Sequence, residues 1–96
     1  MILDDYLAVL RAKRAILAEQ FKVNNIGIFG SFVRGEQHEN SDIDILVDFE
    51  DDADLFDLTG LALFLEQVFQ RNVDVVPKAA LRSELRPEIL REVISV

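Results

Sequence analysis

Residues 42 to 49, Asp-Ile-Asp-Ile-Leu-Val-Asp-Phe, alternate at the two-residue period of an extended strand. Ile43, Ile45, Val47 and Phe49 fall on one side, and Asp42, Asp44, Leu46 and Asp48 on the other. An apolar side of that size needs a cover, so the strand belongs to a sheet packed against helices, with its carboxylates facing away from the core. The alternation also aims Asp42 and Asp44 at one spot. Two such charges about 6 Å apart, at an effective dielectric of about 20, oppose each other by roughly 3 kcal/mol. Either water dissipates that repulsion or a cation sits between the two groups.

The neighbouring periodicities supply the cover. Leu3, Leu7, Leu10, Leu17 and Phe21 recur at helical spacing and predict a first helix over 4–21. The isoleucine-rich stretch 25–29 reads as a buried strand, ended by Gly30-Ser31. Ser31 is a suitable N-cap for a single helical turn over 32–34, which Gly35 stops by adopting a left-handed conformation. A polar loop follows over 36–41, then the strand 42–49. A second long helix over 54–70 carries Leu55, Leu58, Leu61, Ala62, Leu65, Val68 and Phe69 behind an acidic first turn. Residues 72–76 form a third strand that Pro77 ends, and 86–93 a last helix with Pro87 in its first turn. The order α-β-α-β-α-β-α describes an α/β chain of the α+β type with a small three-stranded sheet. At 96 residues, half of them hydrophobic, it is expected to form one domain over 1–96.

Composition narrows the function classes. The chain has no cysteine, which excludes a disulfide framework, a thiolate metal site and a cysteine nucleophile. Its start carries acids where a secretion signal carries bases, and no apolar run reaches the ~20 residues that span a bilayer, so a cytoplasmic location without membrane contact is expected. A net charge of -8 argues against direct nucleic-acid binding, which is driven by lysine and arginine. Ten of the eighteen acids lie within 36–57, where there is no lysine or arginine. Arg11, Lys13 and Arg14 read as a solvated face of the first helix, His38 as a solvated loop residue, and Lys78 as an exposed lysine needing no special role.

Asp74 interrupts the apolar run Val-Asp-Val-Val. A buried aspartate there requires hydrogen bonds, a counter-charge or a metal. If the third strand lies beside the second, Asp74 joins Asp42 and Asp44 on one face, and three carboxylates suit a hard divalent cation such as Mg²⁺. Magnesium held this way keeps positions for substrate phosphates, which points to a nucleotide. Gly30-Ser31 fits an anion, because glycine permits close backbone approach and helix starts present free amides. Arg34 adds a guanidinium suited to phosphate. Asp48 lies about 13 Å along the strand from Asp44 and falls outside any shared ion site.

The spacing Gly30-Ser31, ten residues, Asp42-Ile43-Asp44 resembles the signature of the polymerase-beta-type nucleotidyltransferase superfamily, with Asp74 in the place of its third carboxylate. The resemblance covers nearly the whole chain. It implies the nucleotidyltransferase fold, a small mixed sheet flanked by helices, and transfer of a nucleoside monophosphate from a triphosphate to an acceptor with release of pyrophosphate. It further implies two Mg²⁺ ions on Asp42 and Asp44, one of them shared with Asp74 to activate the acceptor hydroxyl, and a triphosphate lying on Gly30-Ser31. The short chain is most similar to the minimal nucleotidyltransferases (MNT), especially the antitoxins paired with HEPN toxins. For that group the implied activity is adenylylation of the toxin with ATP, commonly on tyrosine, the partner supplying the acceptor. Two alternatives stand beside it: a non-catalytic module that neutralises its partner by stoichiometric capping, and a stand-alone transferase acting on RNA or a small molecule.

Overall fold

The strand expected over 42–49 forms over Ile43–Phe49 and is an inner strand of a four-stranded sheet. The computed structural model describes residues 2–96, in which helices α1 (Leu3–Ala12) and α2 (Arg14–Phe21) lead into strand β1 (Val23–Phe29). A single turn, α3 (Ser31–Arg34), precedes β2 (Ile43–Phe49), and α4 (Leu55–Phe69) precedes β3 (Val73–Pro77). A 3₁₀ turn over Lys78–Ala80, helix α5 (Arg86–Glu92) and a two-residue strand β4 (Ile94–Ser95) complete the chain. The sheet order is β3-β2-β1-β4. β1 runs antiparallel to β2 and β4, whereas β2 and β3 are parallel, joined by a crossover through α4.

The register decides which residues share a face. Ile26 lies opposite Val47 and Ile28 opposite Ile45, while Val73 and Val75 extend the same surface across β3 from Ile43 and Ile45. Helices α1, α2 and α4 cover it, and Leu10, Leu17, Ile28, Ile43, Ile45, Val47, Leu61 and Leu65 are fully buried between the layers. The ring of Tyr6 meets Phe32 and Phe69 edge-on, with centroids 5.6 and 5.0 Å apart, and so ties α1 to α3 and α4. Among the described residues, no helix is long and apolar enough to cross a membrane.

Two expectations need correction. The helix expected over 4–21 is divided at Lys13, which has φ -101° and ψ 8° and whose amide is shared between the carbonyls of Val9 and Leu10. The break lets α1 keep Tyr6, Leu7 and Leu10 on the core while α2 turns Phe21 onto Phe64 of α4. The sheet has a fourth strand, β4, not expected from the sequence. The face opposite the long helices is also not bare. Leu46, on the carboxylate side of β2, is only 6% exposed because the C-terminal segment lies over it, with Leu90 and Val93 nearby. Gly27 permits that approach, since a Cβ there would stand 2.7 Å from the Ile94 carbonyl oxygen and 2.8 Å from Val93 Cγ2.

Candidate active site

The parallel pairing of β2 and β3 puts Asp44 directly beside Asp74, and the antiparallel pairing of β1 and β2 puts Phe29 on the other flank of Asp44. Of the juxtaposition expected of the third strand, the pairing of Asp74 with Asp44 is present, while Asp42 lies outside β2 and does not converge with them. The premise of a buried Asp74 is not met: β3 is an edge of the sheet, and Asp74 is exposed, so burial does not require a partner for it. Asp44 carries the electrostatic load instead. Half-buried against Phe29, it has a pKa raised above the usual carboxylate range, first by loss of solvent and then by the charges of Asp74 and Asp42, with Arg34 opposing.

Gly30 closes the turn above this carboxylate. Its φ of 82° and ψ of -151° lie in a region essentially reserved for glycine, and a Cβ would be driven into the Asp44 carboxylate, within 2.9 Å of its Cγ. Glycine is thus needed twice at this position. The cap differs from expectation by one residue: Gly30 is the N-cap of α3, its carbonyl accepting from the amides of Val33 and Arg34 at 3.0 and 3.2 Å, and Ser31 is the first helical residue. The first amides of such a turn have no partner within the helix. Gly35 ends it in the left-handed conformation, φ 72°, as its position suggested.

A cavity of about 450 Å³ opens here, lined by Phe29, Gly30, Arg34, Asp44, Asp74 and Glu92 together with part of the 81–89 segment. Asp42 stands just outside it. The exposed Asp42 precedes the first residue of β2 and lines an adjacent cleft with Ser41 and Arg71. Among the described residues, no three carboxylate, imidazole or thiol side chains converge closely enough to hold an ion as they stand. The donor set nonetheless has the chemistry of a hard-cation site, oxygen only and anionic, with Asp44 repelled by Asp74, Asp42 and, more weakly, Glu92, a repulsion that a divalent ion would offset.

Arg34 reaches the cavity between two carboxylates. Its Nε donates to Glu36 Oε1 at 2.7 Å and its Nη1 to Glu92 Oε1 at 2.8 Å, and these bonds raise its pKa further. The second oxygen of Glu92 accepts from the Gly30 amide at 2.9 Å. Burial pushes the Glu92 carboxyl up, but the bonds from Arg34 and Gly30 together outweigh it and hold the group below its ordinary value. Sequence reasoning missed Glu92, which sits in the segment Leu-Arg-Glu-Val with no periodic signal. It also missed Arg71, whose Nη1 donates to the carbonyls of Glu39 and Ser41 at 3.1 and 2.7 Å and whose guanidinium lies 5.4 Å from the Phe32 ring. Arg71 thereby anchors the loop that delivers Asp42. His38 stays in that exposed loop, and its Nδ1 accepts from the Asn40 amide.

A mixed sheet, a glycine-serine turn and paired aspartates on adjacent strands define a nucleotidyltransferase, and residues 10–96 match the nucleotidyltransferase domain family, to which the chain belongs. The protein adenylyltransferase MntA of Thermococcus cleftensis is 43% identical over 96 residues, spanning 100% of this chain and 97% of that one. A solved minimal nucleotidyltransferase superposes with a TM-score of 0.77 at 38% identity, over 94% of this chain and 95% of the other. A toxin-antitoxin crystal structure with AMP-PNP gives a TM-score of 0.70 at 30% identity, over 88% of this chain and 69% of that one.

Proposed function

We propose that this chain transfers AMP from ATP to a hydroxyl group, a tyrosine in the leading reading, on a HEPN-type partner protein, and so acts as an antitoxin. The observation that carries the reading is the pairing of Asp44 with Asp74 beneath the Gly30 turn, in a cavity that Arg34 also lines. In this reading Asp42, Asp44 and Asp74 hold two Mg²⁺ ions, Gly30 and Ser31 seat the triphosphate, and Arg34 grips it through charge-assisted hydrogen bonds. Bound there, the ions would neutralise the triphosphate and lower the pKa of the acceptor hydroxyl. The acceptor hydroxyl loses its proton to solvent, its oxygen forms a bond to the α-phosphorus as the bridging bond to the β-phosphate breaks, and pyrophosphate leaves. The chain's own contribution is positional: the sheet fixes Asp44 and Asp74, and the turn brings backbone within contact of the Asp44 carboxylate. The T. cleftensis relative's name and the AMP-PNP in the toxin-antitoxin structure support the choice of adenylyl transfer and of a toxin partner.

One observation favours the capping alternative. On α4, Leu55, Phe56 and Leu63 are 73%, 87% and 63% exposed, beside acids that include Asp51, Asp52 and Asp54, which is the make-up of a protein-binding surface. Catalysis and capping separate in one experiment. The partner is incubated with ATP, Mg²⁺ and either the native chain or Asp42→Asn/Asp44→Asn protein, and its intact mass is read. One added AMP from the native chain alone supports transfer. An unmodified partner that is neutralised equally by both proteins supports capping.

A further inference from the structure

Helix α5 ends by sending a carboxylate into the wall of the site. β4 pairs with β1 through Gly27 with Ser95 and Ile28 with Ile94, and the Val96 amide donates to the Ile26 carbonyl at 3.1 Å. Continued by two residues, that register sets Gly30 opposite Glu92. The backbone at Glu92 is helical and cannot pair, so its side chain takes the vacant ladder position, with Oε2 2.9 Å from the Gly30 amide. In an antiparallel ladder alternate residues direct their polar groups to the same neighbour, so this amide points along the sheet toward the β4 edge. Glu92 therefore braces the turn from the side.

The other oxygen of Glu92 holds Arg34 Nη1 at 2.8 Å, while Nε is taken by Glu36. The side chain of Glu92 is 18% exposed and that of Glu36 64%, so Glu92 is the firmer of the two holds. Nη2 has no hydrogen-bond partner among the described residues. One carboxylate thus fixes both the glycine turn and the arginine, a residue that lines the cavity containing Asp44 and Asp74 and whose Nη2 is left unengaged.

We propose that Glu92 is a positioning residue of nucleotidyl transfer, which holds Arg34 and the Gly30 turn so that the unengaged guanidinium edge meets the anionic tail of a nucleoside triphosphate. The proposal rests on the reading that Arg34 grips the triphosphate. Its test uses the full chain, with Mg-ATP as the probe, in steady-state transfer and in direct binding measurements on native, Glu92→Gln, Arg34→Ala and doubly substituted protein. Glu92→Gln should raise KM for ATP about tenfold, the loss of part of one charge-assisted hydrogen bond, while kcat stays within about twofold. Glu92→Asp, which keeps the charge but cannot span both partners, should fall between native and Glu92→Gln, and stands in if the latter does not fold. In the double variant Glu92→Gln should cost clearly less than it does in the native background, since only its hold on the Gly30 turn is then left to lose. Fully additive losses, or tighter ATP binding by Glu92→Gln, overturn the positioning role while leaving the arginine's role intact. Arg34→Ala protein that binds ATP like the native chain refutes the triphosphate reading itself, and the positioning role falls with it.

Discussion

Replacing Asp44 by asparagine should stabilise the metal-free protein while removing its activity. Asp44 and Asp74 are register partners on adjacent strands, about 5 Å apart, and at an effective dielectric of about 20 two charges at that distance repel by roughly 3 kcal/mol. Asp74 is exposed and Asp44 only half-buried, so solvent screening reduces the net effect to about 1 kcal/mol. Asparagine matches the shape of aspartate and carries no charge. In EDTA at pH 8, Asp44→Asn should therefore be about 1 kcal/mol more stable to urea, with Tm about 4–8 °C higher. The sign with pH follows from the raised pKa of Asp44. The folded chain keeps that proton longer than the unfolded chain, so native stability is full below the ordinary carboxylate range and falls as pH rises through the folded value. The gap between variant and native should open across that window and then stay level. Mg²⁺ should stabilise the native chain and leave the variant unchanged. A variant less stable than native in EDTA at pH 8, or a gap that does not change with pH, would refute the repulsion argument.

Two further substitutions probe the frame around the site. Gly30→Ala meets both a forbidden backbone conformation and the Asp44 carboxylate, whereas Gly35→Ala, at φ 72° with open space around it, meets only the first; urea melts should show a loss of about 3 kcal/mol or more for Gly30→Ala and about 1 kcal/mol for Gly35→Ala. Phe56→Ser, at a side chain 87% exposed, should change stability by no more than about 0.5 kcal/mol and leave KM for ATP unaltered, so that any loss of partner affinity, read by calorimetry, belongs to the α4 surface.

The alternation over 42–49 carried much of the fold, because a strand with one apolar side dictates where helices must pack. Ile43, Ile45 and Val47 are indeed fully buried under α1, α2 and α4. The glycine-serine turn and Asp44 were also legible, since the turn's backbone chemistry and the strand's period are local properties. What escaped depends on distant chain. Asp74 reads as buried from its apolar neighbours, and only the strand order, with β3 at an edge, exposes it. β4 has two residues, too few for any period, and Glu92 acquires its place from that strand's register with β1. The break at Lys13 follows from the different surfaces the two half-helices must reach, which no helical repeat records.

Transfer from doubly labelled ATP tests the central claim most directly. The native chain, its HEPN-type partner and Mg²⁺ are incubated with ATP carrying one label on the α-phosphate and another on the γ-phosphate. The account predicts that the α label becomes covalently attached to the partner, that the γ label leaves as pyrophosphate, and that Asp42→Asn/Asp44→Asn protein transfers neither. Attachment of the γ label, or undiminished α-label transfer by the substituted protein, would contradict it.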